Sequence, residues 1–420
     1  MKDLTITIVL ALTLGFAVQP SIKLFAETLT IERGSDLQAI IDYSTDGDTI
    51  KITGKEVEAI PRDFIDSLCG NCTVQKTPVK ARYGFIIKNK SLHMIGTDRS
   101  KSILRTNAGY GILFVNSPNS TLEKLTITGG KRDPDGNATD AAIVVRNSVL
   151  HARSLNIIEN RDRIDSVVVG IGGIFGREGA EIYIDDCNLE NNGWDGIALY
   201  RGASAVISDC LIRDGRGAGI GVTWDATCIA YRNVISGYWK GIGAFGTSNV
   251  IAHNNIVMDN LGWGIIATGE SYMDVANNVV YHNGNCGVAP WSTGSRGRII
   301  NNIITENGWR KEWVCPCVGV WNYGDWAKWE FEYNIVWNNK EGNYKDIWDQ
   351  TDLNGNLSVD PKFESESFRL RSDSPGINAG HPETADIDGS RSDIGLYGGP
   401  QGKNFRANII QHKKDENNSE

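Results

Sequence analysis

The sequence predicts an all-β fold, a solenoid of the parallel β-helix kind, and three observations carry that prediction. A Gly-hydrophobic pair recurs at Gly173-Ile174, Gly196-Ile197, Gly219-Ile220, Gly241-Ile242, Gly264-Ile265 and Gly287-Val288, in steps of 23, 23, 22, 23 and 23 residues. A fixed period of this length marks stacked units, none of which can bury its apolar face alone. The segments between the pairs are short β-branched runs, such as Ala205-Val206-Ile207 and Asn278-Val279-Val280-Tyr281, broken by Gly, Asn and Asp. None is long enough for an amphipathic helix, so each period reads as one coil of three short strands. With the repeating Gly as position zero, position one holds Ile174, Ile197, Ile220, Ile242, Ile265 and Val288, and position three holds Gly176, Leu199, Val222, Ala244, Ala267 and Pro290. Side chains alternate along a strand, so these columns face the core.

Taken in order, Lys2 and the apolar stretch from Leu4 to Val18 resemble a secretion signal ending near Ala26, which places the mature chain in the periplasm, at the cell surface or outside the cell. That stretch is short for a membrane span, so no span is expected after its removal. Ser35-Asp36-Leu37-Gln38 is a capping box opening a helix with Leu37, Ile40 and Ile41 on one side, a lid for the exposed strand edge of the first coil. Gly47-Asp48 then turns into a first strand at Thr49-Ile50-Lys51-Ile52. The β-helix is assigned to residues 27–340. Gly111-Ile112 and Ala142-Ile143 fill the same slot in longer coils, since 142 − 111 and 173 − 142 are both 31, and Gly319-Val320 follows Gly287 by 32. The extra residues fall near 129–141, 159–172 and 308–318, each just before the Gly-hydrophobic strand. Fourteen residues after the repeating Gly come Cys187, Cys210, Asn233, Asn255 and Asn278, with Asn302 one step later, a column expected to stack as an internal ladder. Residues 341–400, rich in Pro, Gly, Asp and Ser, are read as an irregular cap against the last coil, and 401–420 as a polar tail.

A net charge of −9 and a pI near 5.3 argue against nucleic-acid partners. Of the eight cysteines, Cys69 and Cys72 suggest a local bridge and Cys315 and Cys317 a stiffened loop, while Cys187 and Cys210 are equally compatible with a bridge or with stacked free thiols.

The Gly-Ile coils with Asn254-Asn255-Ile256-Val257 resemble the right-handed parallel β-helix superfamily of pectate lyases and related carbohydrate-active proteins. So do the opening Asp36-Leu37-Gln38-Ala39-Ile40-Ile41 and the closing Asp360-Pro361-Lys362-Phe363 with Ser374-Pro375-Gly376-Ile377-Asn378-Ala379-Gly380. The resemblance implies a right-handed coil and a polysaccharide or oligosaccharide partner. It names no activity, because that superfamily spans lyases, hydrolases, epimerases and non-catalytic proteins.

A linear polymer would lie on the outer face of the Gly-Ile strands, between the loops. Position four of each coil forms that floor: Arg146, Arg177, Tyr200, Thr223, Phe245, Thr268, Trp291 and Tyr323. Trp194, Trp224, Trp239 and Trp263 crowd the same edge, and sugar rings stack on aromatic faces, so Trp194, Trp224, Phe245, Trp263, Trp291 and Tyr323 are the substrate-binding candidates. For uronate elimination or epimerisation a base must remove the proton beside a carboxylate that cations neutralise. Arg146 and Arg177, beside a charged wall of Lys131, Arg132, Arg161 and Arg163, fit that demand. The resemblance implies arginine or lysine as the base, and Tyr200 or Lys240 could take its place. On this reading Arg177→Ala abolishes elimination and leaves stability near wild type. Asp133, Asp135, Asn137 and Asp140 have the alternating oxygens of a calcium loop, against the plainer reading of an Asp-Gly turn. Hydrolysis would instead need two carboxylates, and Asp225 and Glu270 fall at position six two coils apart, with Asp195 on the other edge of the strand. A non-catalytic binder or scaffold, acting as a monomer, would need the aromatics alone.

Overall fold

The computed structural model describes residues 26–31, 35–54, 56–68, 76–162, 169–310, 316–364 and 367–402. The secretion signal, Cys69, Cys72, Arg163, Cys315 and most of the polar tail lie outside them. Each period is one coil of three strands, and the coils stack into three sheets. Sheet A runs from Thr28–Ile31 to Trp329–Glu332, sheet B from Glu56–Glu58 to Ile335–Trp337, and sheet C from Arg62–Asp66 to Tyr344–Lys345. Neighbours are parallel and in register, so Ile174, Ile197, Ile220, Ile242, Ile265 and Val288 form one row of sheet C. The departure is Arg62–Asp66, which runs antiparallel to Val79–Lys88 at the end of sheet C.

Positions one and three are buried, as the alternation requires, and a continuous core fills the coil interior from Ile31 to Val336. The corner after the sheet C strands as far as Trp263–Ala267 takes a left-handed residue. Asn116, Asn147, Glu178, Arg201 and Trp224 supply it with φ between 43° and 54°, whereas Gly246 and Gly269 do so at no steric cost.

The expected amide ladder is present and longer than the period suggested, running Asn233, Asn255, Asn278, Asn302, Asn334 and Asn356. Each side-chain oxygen accepts from the backbone N–H and the side-chain amide of the preceding rung. Above Asn233 the column continues as Cys210 and Cys187, both free thiols, which resolves that alternative. Asn278 Nδ2 donates to Ala252 O at 2.7 Å and to Asn302 Oδ1 at 2.9 Å. Asn278→Ala therefore strands several buried groups at once, and at about 1–3 kcal/mol per orphaned group it should cost at least about 3 kcal/mol, read as a shift in the denaturation midpoint. A second ladder, not expected from the glycine register, stands at the next corner as Asn260, Asn283, Asn307 and Asn339.

The lid helix spans Leu37–Tyr43 with Asp36, not Ser35, as N-cap, its side chain accepting from Ala39 N at 3.2 Å. A strand precedes it: Thr28–Ile31 pairs with Asp48–Ile52. The C-terminal segment departs from the expected end cap. After Leu357 bridges Ile335, the chain folds back over the outer face of sheet B, where Phe368, Ile394 and Leu396 cover Ile256, Val279, Ile303 and Ile335. The left-handed asparagines of the preceding corner hold this strap. Asn254 Nδ2 donates to Leu396 O and Gly398 O at 2.8 and 2.7 Å, and Asn277 Nδ2 to Asp393 O at 3.0 Å. Among the described residues, no helix is long and apolar enough to cross a membrane.

Candidate functional site

The outer face of sheet C divides into three zones. Position four is one continuous row, as backbone bonds from Tyr200 to Gly176, Thr223 to Leu199, Phe245 to Val222, Thr268 to Ala244 and Trp291 to Ala267 show. Tyr200, Phe245 and Trp291 thus share a side of the molecule.

The N-terminal zone is closed. The strand Arg62–Asp66 and the 129–141 loop pack over it, burying Tyr110, Leu113, Val144 and Phe175. Arg177 is 0% exposed: its guanidinium donates to Asp66 Oδ2 at 3.0 Å, Thr139 Oγ1 at 2.9 Å, Glu178 Oε2 at 2.8 Å and Leu68 O. Arg146 donates to the other Asp66 oxygen at 2.8 Å and pairs with Glu178 at 3.2 Å. The two arginines expected to face a substrate are instead members of a buried ionic network, because Asp66 reaches over them from outside the coil. The charged wall changes likewise, with Arg132 buried and paired to Asp140.

The oxygens offered for calcium are also mostly committed, Asp140 Oδ1 being buried without a hydrogen-bond partner. Asp133 accepts from Arg82 N and Nε at 3.1 and 3.0 Å, Asp135 from Lys80 N and Asn137 N at 3.2 and 3.1 Å, and Asp140 from Asp133 N at 2.7 Å. Asn137 is exposed at the turn. The four do not converge as a cation cage. They brace the loop, and the turn reading describes them.

The C-terminal zone is aromatic. Trp263 packs edge-on against Trp239 and Trp291 at centroid distances of 6.0 and 5.5 Å, and Trp291 against Trp321 at 4.7 Å. Trp263 is buried beneath its neighbours, so it supports the surface and offers no ring face of its own. Phe245 and Trp291 are half-buried, whereas Tyr323 is 62% exposed.

Between these zones the floor is made of small residues, Gly217, Ala218, Gly221 and Gly243, all buried. The Asp195 carboxyl lies over Gly217 and the Phe245 ring over Gly243, and Tyr200 and Lys240 stand beside them. Asp195 sits one residue ahead of Gly196, in the column that continues as Ala218, Lys240 and Trp263. Lys240 is therefore two rungs away, about 9.6 Å along the stack. Asp195 Oδ1 accepts from Ala218 N at 2.6 Å. A Cβ on Gly217 would stand 1.8 Å from that oxygen, so only glycine admits the carboxyl there. Burial raises the Asp195 carboxyl from 3.8 to about 6, against the pull of the Ala218 N–H and the Lys240 charge. Burial also lowers the Lys240 ammonium, with Asp195 acting in the opposite sense. The Tyr200 hydroxyl is pushed up, chiefly by burial and further by Asp195. An acid raised to about 6, a weakened ammonium and a phenol thus flank one strip of small residues. Such divergent shifts accompany acid–base sites. Trp224 borders the strip, 5.8 Å from Tyr200 and with the Arg201 guanidinium 4.2 Å over its ring, and Trp194 borders it half-buried.

The carboxylates considered for hydrolysis lie beyond the strip. Asp225 is exposed in the corner turn and accepts from Gly202 N at 2.8 Å, and Glu270 is exposed in the matching turn two coils on. His282 pairs with Asp259 at 2.7 Å, away from sheet C.

Residues 172–340 match the family model described as "Right handed beta helix region". The chain carries a right-handed parallel β-helix. Solved structures similar to it include a pectate lyase (15% identity over 89% of this β-helix chain and 96% of that one, TM-score 0.46). A periplasmic alginate epimerase matches at 12% identity over 71% of this chain and 92% of that one, TM-score 0.44. The A-module of a mannuronan C-5 epimerase from Azotobacter vinelandii matches at 14% identity over 78% and 91%, TM-score 0.43. At identities this low they assign no activity to the β-helix. None of the curated proteins matches its sequence.

Proposed function

We propose that this β-helix acts on an anionic, uronate-containing polysaccharide by proton abstraction beside the carboxylate, as a lyase or epimerase of an exported kind. The observation that carries the reading is the convergence of Asp195, Tyr200 and Lys240 on a glycine-floored strip. In its neutral form Asp195 can donate a hydrogen bond to the uronate carboxylate and hold the charge that develops there as the C5–H bond breaks. Lys240, with its ammonium weakened, is the group suited to take that proton. The Tyr200 hydroxyl supplies a proton on the other side of the strip. Delivered to the leaving O4 as the C4–O4 bond breaks and a C4–C5 double bond forms, it completes elimination; delivered back to C5 from the opposite face, it completes epimerisation. Trp194 and Trp224 border the reacting sugar, and Phe245, Trp291 and Tyr323 lie along the path of the chain beyond it.

The test is a panel of uronate polymers, following absorbance of unsaturated ends for elimination and proton NMR for epimerisation. Turnover on at least one polymer is expected, with Gly217→Ala losing at least tenfold because its methyl displaces the Asp195 carboxyl. The exposed Tyr323 beside Trp291 and Trp321 favours a second reading, a binder without catalysis. Tight retention on a polymer with no turnover on any would select it.

A further inference from the structure

Among the described residues sheet A is the face left uncovered, since the strap lies on sheet B. Its central column carries an uninterrupted apolar stripe, Tyr183, Val206, Ile229 and Ile251, paired rung on rung. Tyr183 and Ile229 are 37% and 41% exposed, and Val206 and Ile251 are half-buried. Contiguous exposed apolar surface on a flat, rigid face marks an interaction site. The residues around the stripe identify its occupant.

We propose that sheet A is a homodimer interface, in which two copies of this chain stack face to face with their solenoid axes antiparallel. A two-fold axis lying in the interface along the strand direction, between the rungs of Val206 and Ile229, reverses the order of rungs and keeps each column opposite itself. It sets Val206 against the partner copy's Ile229 and Tyr183 against its Ile251. Continuing outward along the same column, it sets His151 against Asp274 and His93 against Glu330, because the register runs His93, Thr121, His151, Tyr183 on one side and Ile251, Asp274, Arg298, Glu330 on the other. Two residues along the strand, the same operation sets Asp185 against His253. One operator chosen on the apolar stripe alone thus brings three imidazole–carboxylate pairs together. It adds His151 to Asp274, which already meets His253 and Arg298 of its own chain, and His93 to Glu330, which already meets Arg298. Any other centre of reversal along the column loses the apolar match.

The size is adequate. Ten rungs at about 4.8 Å and a strand width of five residues at about 3.3 Å give roughly 700 Å² per copy. About 1,400 Å² in all falls within the range of specific interfaces, about 1,200–2,000 Å². Aligned sheets pack about 10 Å apart, which the tyrosine and isoleucine side chains fill. Sheet C lies on another side of the coil, so the interface leaves the acid–base strip open. The proposal does not depend on the chemistry assigned to that strip, and it replaces the expectation of a monomer.

Sedimentation equilibrium at tens of micromolar tests it. The wild-type chain is expected at twice its chain mass, and Ile229→Arg at chain mass with an unchanged far-UV spectrum and melting temperature. Tyr183→Cys mixed with Ile251→Cys should be joined by a short bismaleimide, whereas either variant alone should not. A wild-type chain at single chain mass, or a dimer that survives Ile229→Arg, would overturn the proposal. So would cross-linking of Tyr183→Cys alone, which would place like residues opposite one another.

Discussion

Lys240→Met and Asp195→Asn should each lower turnover on the responsive uronate polymer by at least 10²-fold, while both proteins remain folded. General acid–base groups contribute about 10²–10⁴-fold, and each variant removes one without touching the core. Asp195→Asn has a second signature that a merely structural residue would lack. Burial raises the Asp195 carboxyl from 3.8 to about 6, so across that window the native state holds a proton that the unfolded chain has released. Native stability therefore falls as the pH rises from about 4 to about 6, by about 3 kcal/mol for a shift of this size. The substituted amide has no such proton to lose, and its oxygen remains an acceptor for the Ala218 N–H. Asp195→Asn should accordingly melt higher than wild type at pH 7 and converge with it near pH 4. Activity lost and stability gained at one position is the pattern expected of a site strained for function. Thermal melts at the two pH values, beside the turnover assay, check both halves.

Arg177→Ala should do the reverse and damage the fold itself. The sequence alone places Arg177 on the substrate floor and predicts a stable, inactive variant. The structure places it at full burial between Asp66, Thr139 and Glu178. Removing it leaves the buried Asp66 with Arg146 as its remaining cation, beside hydrogen bonds from the Tyr110 hydroxyl and Leu68 N, and breaking one side of a buried pair costs about 3–5 kcal/mol. Arg177→Lys should recover little, since one ammonium cannot bond along both edges of the network as the guanidinium fork does. Chemical denaturation of the two variants decides the matter: midpoints close to wild type would return Arg177 to the substrate floor.

The coil was legible because its physics is one-dimensional. A 23-residue period, two apolar columns and one asparagine column specify which residues meet, and the register of sheet C follows them. Features that depend on chain from outside the period were not legible. Asp66 meets Arg146 and Arg177 across 80 and 111 residues, on a strand that belongs to no coil. That one carboxylate turned two expected catalytic groups into buried structure. The strap was readable in part. Sheet B has an apolar outer column at Val234, Ile256, Val279, Ile303 and Ile335 but a polar one at Thr126, Asn156 and Asn188, and the strap covers the apolar half. The second ladder carried its own signal in Asn260, Asn283 and Asn307, which repeat at the same spacing as the first ladder a few residues earlier in each coil. Asp195 and Lys240 were visible as candidates. Their shared strip was not, because it depends on Gly217, Ala218 and Gly221 giving the Asp195 carboxyl room between closed and aromatic ends.

Substrate is expected to bind on that strip of small residues. A crystal structure of the Lys240→Met chain soaked with an oligouronate tests it most directly. A sugar ring is expected over Gly221 beside the Phe245 ring, its carboxylate within hydrogen-bonding distance of Asp195 and its C5 facing the position vacated by the lysine amine. An oligosaccharide bound only along Trp291 and Tyr323, or on another sheet, with the strip empty, would contradict it.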